Sequence, residues 1–196
     1  MNVQTARQVQ PKSSESVRWR LPVVLMISVV VAYFDRLNIS LALPSIAAEH
    51  AWTAEQTGKY GGLILSIFFV GYGLANMLFS PIGEKYGPRK SLITAVILFS
   101  CFTIAGGLTG GILWAFLLTR FLLGLGEGIH FPMNNKLIKN WFPLSERSRA
   151  NGMWVSGLLF ATILAPLLLV PIIDSWGWRV MFALLGVLGM LVTVPL

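Results

Sequence analysis

Two short stretches carry charge where the surrounding sequence is apolar: YFDRLNIS sets Asp35 beside Arg36, and RFLLGLGE holds Arg120 and Glu127. Ionisable residues at membrane depth are costly, so they mark a functional site by default. The bland alternative is an ion pair that locks two helices together, for which two residues would suffice instead of four. A guanidinium is always charged and grips a carboxylate or phosphate with two donors. A carboxylate in a low-dielectric site favours its protonated form, a neighbouring guanidinium opposes this, and opening the site to water shifts the balance. Together these groups suit the binding of an anion and the carriage of a proton.

The elements that must position them are membrane helices. The chain is 55% hydrophobic and 12% charged, with a mean hydropathy of +0.71, outside the range of soluble domains. Six apolar segments can be drawn, at 21–46, 60–82, 91–108, 112–138, 149–172 and 178–196. Each is near the roughly 20 residues that a helix needs to cross about 30 Å of hydrocarbon. Continuous apolar runs without strict alternation predict helices, because lipid offers the backbone no partner. Residues 1–20 read as a polar, disordered tail and not as a cleavable signal peptide.

Bases set the expected orientation. Arg7, Lys12, Arg18 and Arg20 precede segment 1, Lys85, Arg89 and Lys90 join segments 2 and 3, and Lys136, Lys139, Arg147 and Arg149 flank the connection of segments 4 and 5. The other connections are poor in bases, so the N-terminus and the even-numbered connections are expected in the cytoplasm. The formal charge of +7 is thus a topology feature. Bases scattered over separate loops do not make a nucleic-acid footprint. Cys101 is the single cysteine, which excludes an intrachain disulfide and a thiolate metal cluster; no cofactor or metal is expected.

Depth suggests pairings. Asp35 lies roughly 22 Å along segment 1 from Arg20, and Arg120 roughly 13 Å along segment 4 from Gly111 at the opposite face, which puts them at nearly one level. Asp35 and Arg36 differ by about 100° around a helix, so they cannot share a partner. The expectation is that Asp35 turns toward Arg120, while Arg36 joins Tyr33 and Ser40 facing a central cavity. Glu127 and Asn134 continue the Arg120 face at seven-residue steps. In segment 5, Gly157, Ala161 and Ala165 before Pro166 predict close helix approach and a bend. Trp52, Trp141, Trp176 and Trp178 are expected as interfacial anchors, and Ser145 as a helix N-cap after Pro143. His130 and the Asn134–Asn135 pair also read as plain interhelical bonds.

Other classes compete. An intramembrane serine protease would cast Ser156 and His130 as nucleophile and base, yet it lacks a G-x-S-G stretch and leaves the four charges unused. A non-transporting receptor or scaffold would tolerate Asp35→Asn and Glu127→Gln. A facilitator or organophosphate exchanger would carry the anion without a proton.

The blocks YFDRLNIS, SPIGEKYGPRKSL and RFLLGLGEGIHFPMNNKLIKNWFPLSERSRANG resemble the N-terminal six-helix half of a major facilitator superfamily transporter. Within it the chain is similar to the anion:cation symporter family, which includes hexonate and hexuronate transporters and sialin-type carriers. The resemblance implies an all-α membrane fold, with six transmembrane helices forming one half, as 3+3 inverted repeats, of a twelve-helix bundle. It implies a secondary transporter, not an enzyme, performing proton-coupled symport of a small organic anion such as a sugar acid. The implied proton-coupling acids are Asp35 and Glu127. The implied substrate-binding residues are Tyr33, Arg36, Tyr72 and Asn76, with Arg120 partnering the helix 1 acid; Arg120 and Asn134, on the shared face of segment 4, are further substrate-binding candidates. Against the superfamily pattern G-x-x-x-D-R-x-G-R-R, Gly87 and Arg89 match, whereas Ser80, Glu84, Lys85 and Pro88 depart; a gating role is implied for Glu84, Gly87 and Arg89. Alanines in segment 5, where antiporters carry glycines, favour symport. The chain is expected to lack the C-terminal half that would be its partner, and to lie in the bacterial cytoplasmic membrane.

Overall fold

The computed structural model describes residues 18–196; residues 1–17 of the expected N-terminal tail, with Arg7 and Lys12, lie outside the described residues, whereas residues 18–20 of it are ordered at the start of the first helix. Local chemistry sets the helix boundaries. The first helix, α1 (Arg20–Glu49), runs through Pro44. Thr53 opens α2 (Ala54–Leu78) with a capping box: its hydroxyl accepts from the Gln56 amide while the Gln56 side chain accepts from the Thr53 amide, satisfying two orphan donors. A short helix, α3 (Ser80–Tyr86), leads to Gly87 at φ 101°, a left-handed conformation that glycine adopts without strain. Pro88 then starts α4 (Pro88–Thr109), where its missing N–H costs nothing. There follow α5 (Leu113–Glu127), α6 (His130–Trp141), α7 (Leu144–Val155), α8 (Gly157–Trp176) and α9 (Trp178–Val192). Gly177, at φ 84°, separates the last two.

Several expected segments are divided. The 112–138 run breaks at Gly128–Ile129 into α5 and α6. Pro132 cannot donate to the Gly128 carbonyl one turn back, and the Asn76 amide donates to that oxygen instead, at 3.1 Å. The 60–82 segment starts earlier and stops at Leu78, because the capping box extends it outward and α3 turns away after Phe79. The 149–172 segment begins at Leu144 and is interrupted at Ser156. Ser145 is not the N-cap: Pro143 holds that position, with extended backbone, and Ser145 sits in the first turn. Four helical stretches are long and apolar enough to cross a membrane: Arg20–Glu49, Ala54–Leu78, Pro88–Thr109 and Leu144–Trp176, with α9 a shorter apolar helix.

Small residues bring the helices together. A Cβ on Gly124 would stand 2.2 Å from the Phe68 carbonyl oxygen, and one on Gly71 2.3 Å from that of Phe121, so α2 and α5 touch backbone to backbone. The expected stripe of Gly157, Ala161 and Ala165 is buried where α8 packs on α1. Apolar packing forms two clusters. One contains Leu25, Val29, Val96, Phe99, Met133 and Trp154; the other contains Ile39, Ile46, Ile64, Phe116, Ala165 and Phe182. On α1 the first cluster ends at Ala32 and the second begins at Phe34. The buried charges lie at that junction.

The end of the second cluster is clasped by ions. Glu49 accepts from both Arg179 terminal nitrogens, at 2.5 and 2.6 Å, and from the Trp178 indole at 3.1 Å. Trp178 faces the interior and not an interface: it is 4% exposed, packed against Phe116 and Phe182, with its N–H used in this clasp. Trp141 and Trp176 are exposed, and Trp52 stacks between His50 and Tyr60. At the opposite end Arg18 pairs with Glu146 at 2.7 Å. Arg147 there donates to the Phe142 and Lys139 carbonyls, covering the end of α6.

Candidate functional site

α1 and α5 deliver the four charges to the junction of the two apolar clusters. Asp35, Arg120 and Glu127 are buried, and Arg36 is 17% exposed. Arg36 lines a cavity together with Ser40, but its guanidinium is engaged: Nη2 donates to Glu127 Oε1 at 2.9 Å. Its guanidinium carbon lies 4.7 Å from the ring centres of both Tyr33 and Tyr72 and 5.5 Å from that of Phe68. Aromatic faces attract a cation, and the Tyr33 hydroxyl also accepts from Nη1 at 3.5 Å. The Nε has no hydrogen-bond partner among the described residues.

Asp35 does not pair directly with Arg120. The Arg120 Nη2 donates to Asn38 Oδ1 at 3.2 Å, and Asn38 Nδ2 donates to Asp35 Oδ1 at 3.4 Å. Asn38 stands one turn after Asp35, so the amide occupies the space that a salt bridge would need. Phe116 and Phe182 wall the Arg120 guanidinium at 5.0 and 4.7 Å. Asp35 Oδ2 has no hydrogen-bond partner among the described residues.

A cavity of about 260 Å³ opens beside these groups, lined by Asp35, Arg36, Ser40, Phe68 and Arg120 among others. Two arginines and one aspartate line this otherwise apolar cavity, and guanidinium donors have the chemistry to grip an anion. Tyr33, Arg36, Tyr72 and Glu127 are thus brought together, with Asp35 and Arg120 beside them. Tyr33, Tyr72, Glu127, Asn76 and Asn134 are not among the residues that line this cavity. The Asn76 amide donates to the Gly128 carbonyl, and Asn134 is fully buried with neither amide atom partnered among the described residues.

The loop residues lie apart. Glu84 accepts from Lys136 at 2.6 Å, tying α3 to α6. That ammonium holds the Glu84 carboxyl below its usual range. Arg89 donates to the Leu196 carbonyl at 2.5 Å. Ser156 and His130 do not meet: Ser156 donates to the Met153 carbonyl, and His130 bonds Ser28. Sequence reasoning missed Asn38, Phe68, Phe116 and Phe182. The one-turn spacing of Asp35 and Asn38 was available as a clue; Phe182 carried none, since it arrives from a helix more than sixty residues beyond Arg120.

Residues 25–196 match the Major Facilitator Superfamily, and the chain belongs to it. It is 33% identical over 167 residues to the probable sulfoacetate transporter SauU of Cupriavidus necator, covering 85% of this chain and 38% of that protein. It is 32% identical over 174 residues to the hexuronate transporter of Bacillus subtilis, covering 88% of this chain and 40% of that one. The chain thus spans about two-fifths of the length of these relatives. Its fold matches that of the proton:xylose symporter XylE bound to 6-bromo-6-deoxy-D-glucose, with a TM-score of 0.82 at 17% identity, over 93% of this chain and 45% of that one.

Proposed function

We propose that this chain is the N-terminal half of a secondary transporter that moves a small organic anion together with protons by alternating access. In this reading six spans form 3+3 inverted repeats, the second half completes the site, and the end bearing Lys136 and Lys139 faces the cytoplasm. The membrane is the bacterial cytoplasmic one. The substrate class is a sugar acid or short carboxylate or sulfonate, as the relatives named for hexuronate and sulfoacetate suggest.

The observation that carries the reading is the Arg36–Glu127 pair beside the cavity. Glu127 and a substrate anion compete for one guanidinium. When Glu127 takes up a proton it loses its charge and most of its hold on Arg36, whose donors then turn to the substrate. Proton and anion therefore load together, and leave together when the other face opens. Tyr33, Tyr72 and Phe68 keep the guanidinium in place during the exchange of partners. Glu84, Gly87 and Arg89 act at the cytoplasmic gate, and Asn76 and Asn134 support the helices around the site.

The test is uptake by the full-length chain reconstituted in vesicles, with radiolabelled glucuronate and sulfoacetate as probes. An inward proton gradient drives accumulation, and adding substrate alkalinises the outside medium. Glu127→Gln abolishes accumulation. Accumulation of either anion that ignores the proton gradient, without alkalinisation, would make the protein a facilitator or exchanger instead.

A further inference from the structure

His130 is a titratable group that the reading above does not use. It is fully buried on α6, one turn after Glu127, and Asn134 follows one turn later. Gly128 and Ile129 keep right-handed helical backbone between α5 and α6, so the three side chains share a face despite the break. Each is wholly buried, and each presents at least one polar atom without a hydrogen-bond partner among the described residues: Glu127 Oε2, His130 Nδ1, and both amide atoms of Asn134. Buried polar atoms are normally bonded. Three in succession along one face make a polar file leading from Glu127 toward the end that carries Lys136.

The hydrogen bonds assign the tautomer of His130. Ser28 has a single O–H, directed at the Leu25 carbonyl at 2.9 Å. Its oxygen therefore accepts from His130 Nε2, 3.1 Å away. The proton of the neutral ring is then on Nε2, and Nδ1 presents a bare lone pair. That atom is a proton acceptor one helical turn from the Glu127 carboxyl.

We propose that His130 is the proton carrier connecting Glu127 to the cytoplasmic end. The proposal rests on the proton-coupled reading above and specifies its exit route. The Glu127 O–H bond breaks and an N–H bond forms at His130 Nδ1, directly or through one water. The carboxylate left behind recovers Arg36. The imidazolium then gives one proton to water held along the Asn134 amide once that end opens. From α1 the Arg36 guanidinium repels an imidazolium, and from α5 the newly formed Glu127 carboxylate attracts it. α4 presents the Phe99 ring, 6.2 Å between centroids. The charged ring is thus a short-lived state, as a carrier requires.

The experiment measures, in vesicles containing the full-length chain, the ratio of proton-driven glucuronate uptake to glucuronate counterflow. Counterflow needs no net proton release, so a fault in folding or binding lowers both and leaves the ratio alone. His130→Gln keeps a donor for Ser28 but has no titratable nitrogen. It and His130→Leu are each expected to lower the ratio by about a hundredfold, the lower end of what a positioned acid–base group contributes. Asn134→Leu lowers it in the same direction. A wild-type ratio in His130→Gln would make the histidine only a hydrogen-bond partner of Ser28 and overturn the proposal. Wild-type protein with counterflow but no proton-driven uptake would overturn the symport reading and this route with it.

Discussion

Arg36 and Arg120 are two arginines at the same junction, each beside an acid, and they are held differently. Arg36 bonds Glu127 directly at 2.9 Å and is ringed by Tyr33, Tyr72 and Phe68. Arg120 reaches Asp35 only through the Asn38 amide and is walled by Phe116 and Phe182. A direct ion pair is sensitive to protonation, because neutralising the acid removes most of the attraction. A relayed contact is less so: Asp35 can accept a proton on Oδ2, which has no hydrogen-bond partner among the described residues, while Oδ1 keeps its bond from Asn38. The first arrangement suits an acid that reports its charge to the substrate site. The second suits an arginine whose position is kept whatever the charge of its neighbour.

The contrast can be broken by removing one cation at a time. Arg36→Leu strands a buried carboxylate, and loss of one partner of a buried ion pair costs about 3–5 kcal/mol. Thermal unfolding of the purified full-length protein should show this loss, and adding Glu127→Gln should recover most of it. An unchanged melting temperature in the single variant would mean that Glu127 is held by something other than Arg36. Asn38→Ala acts on the relay instead. It leaves Asp35 Oδ1 and Arg120 Nη2 without their bonds, at a cost of about 1–3 kcal/mol. A double-mutant cycle sharpens the comparison further. The coupling of Arg36 with Glu127 should exceed that of Arg120 with Asp35 within the range of about 0.5–3 kcal/mol seen for contacting residues. Equal couplings would make the amide relay as tight as a direct pair.

The smallest effect is expected at the surface pair. Glu84 has a lowered pKa in the folded chain because of Lys136. Its contribution to stability is therefore present above the ordinary carboxylate value and is lost as pH falls through the lowered one. Glu84→Gln should flatten the acid side of the stability profile slightly and leave stability at neutral pH nearly unchanged, since exposed pairs contribute little. A large loss at neutral pH would show that the α3–α6 tie carries more of the fold than its exposure suggests.

Much of the site was legible because lipid makes charge conspicuous. Asp35, Arg36, Arg120 and Glu127 could be picked out with no knowledge of packing, since each interrupts apolar sequence at a depth where water is absent. Their pairing was not legible. Depth arithmetic brought Asp35 and Arg120 to one level, but level does not fix azimuth, and the rotation of α1 against α5 gave Glu127 to Arg36 and Asn38 to Arg120. The break at Gly128 was hidden for a similar reason. Pro132 announces a freed carbonyl, but only the α2–α5 contact shows that Asn76 arrives to satisfy it.

The sequence by itself determined that the chain is built of apolar helices, where most of them run, and which four charges lie within them, because those properties follow from composition and from one-dimensional spacing. Only the tertiary structure decided which base meets which acid, that Asn38 intervenes, and that His130 Nε2 meets Ser28. These depend on helix rotation and backbone approach, such as the glycine contact of α2 with α5. Such approaches are set by the packing of residues far apart in the chain.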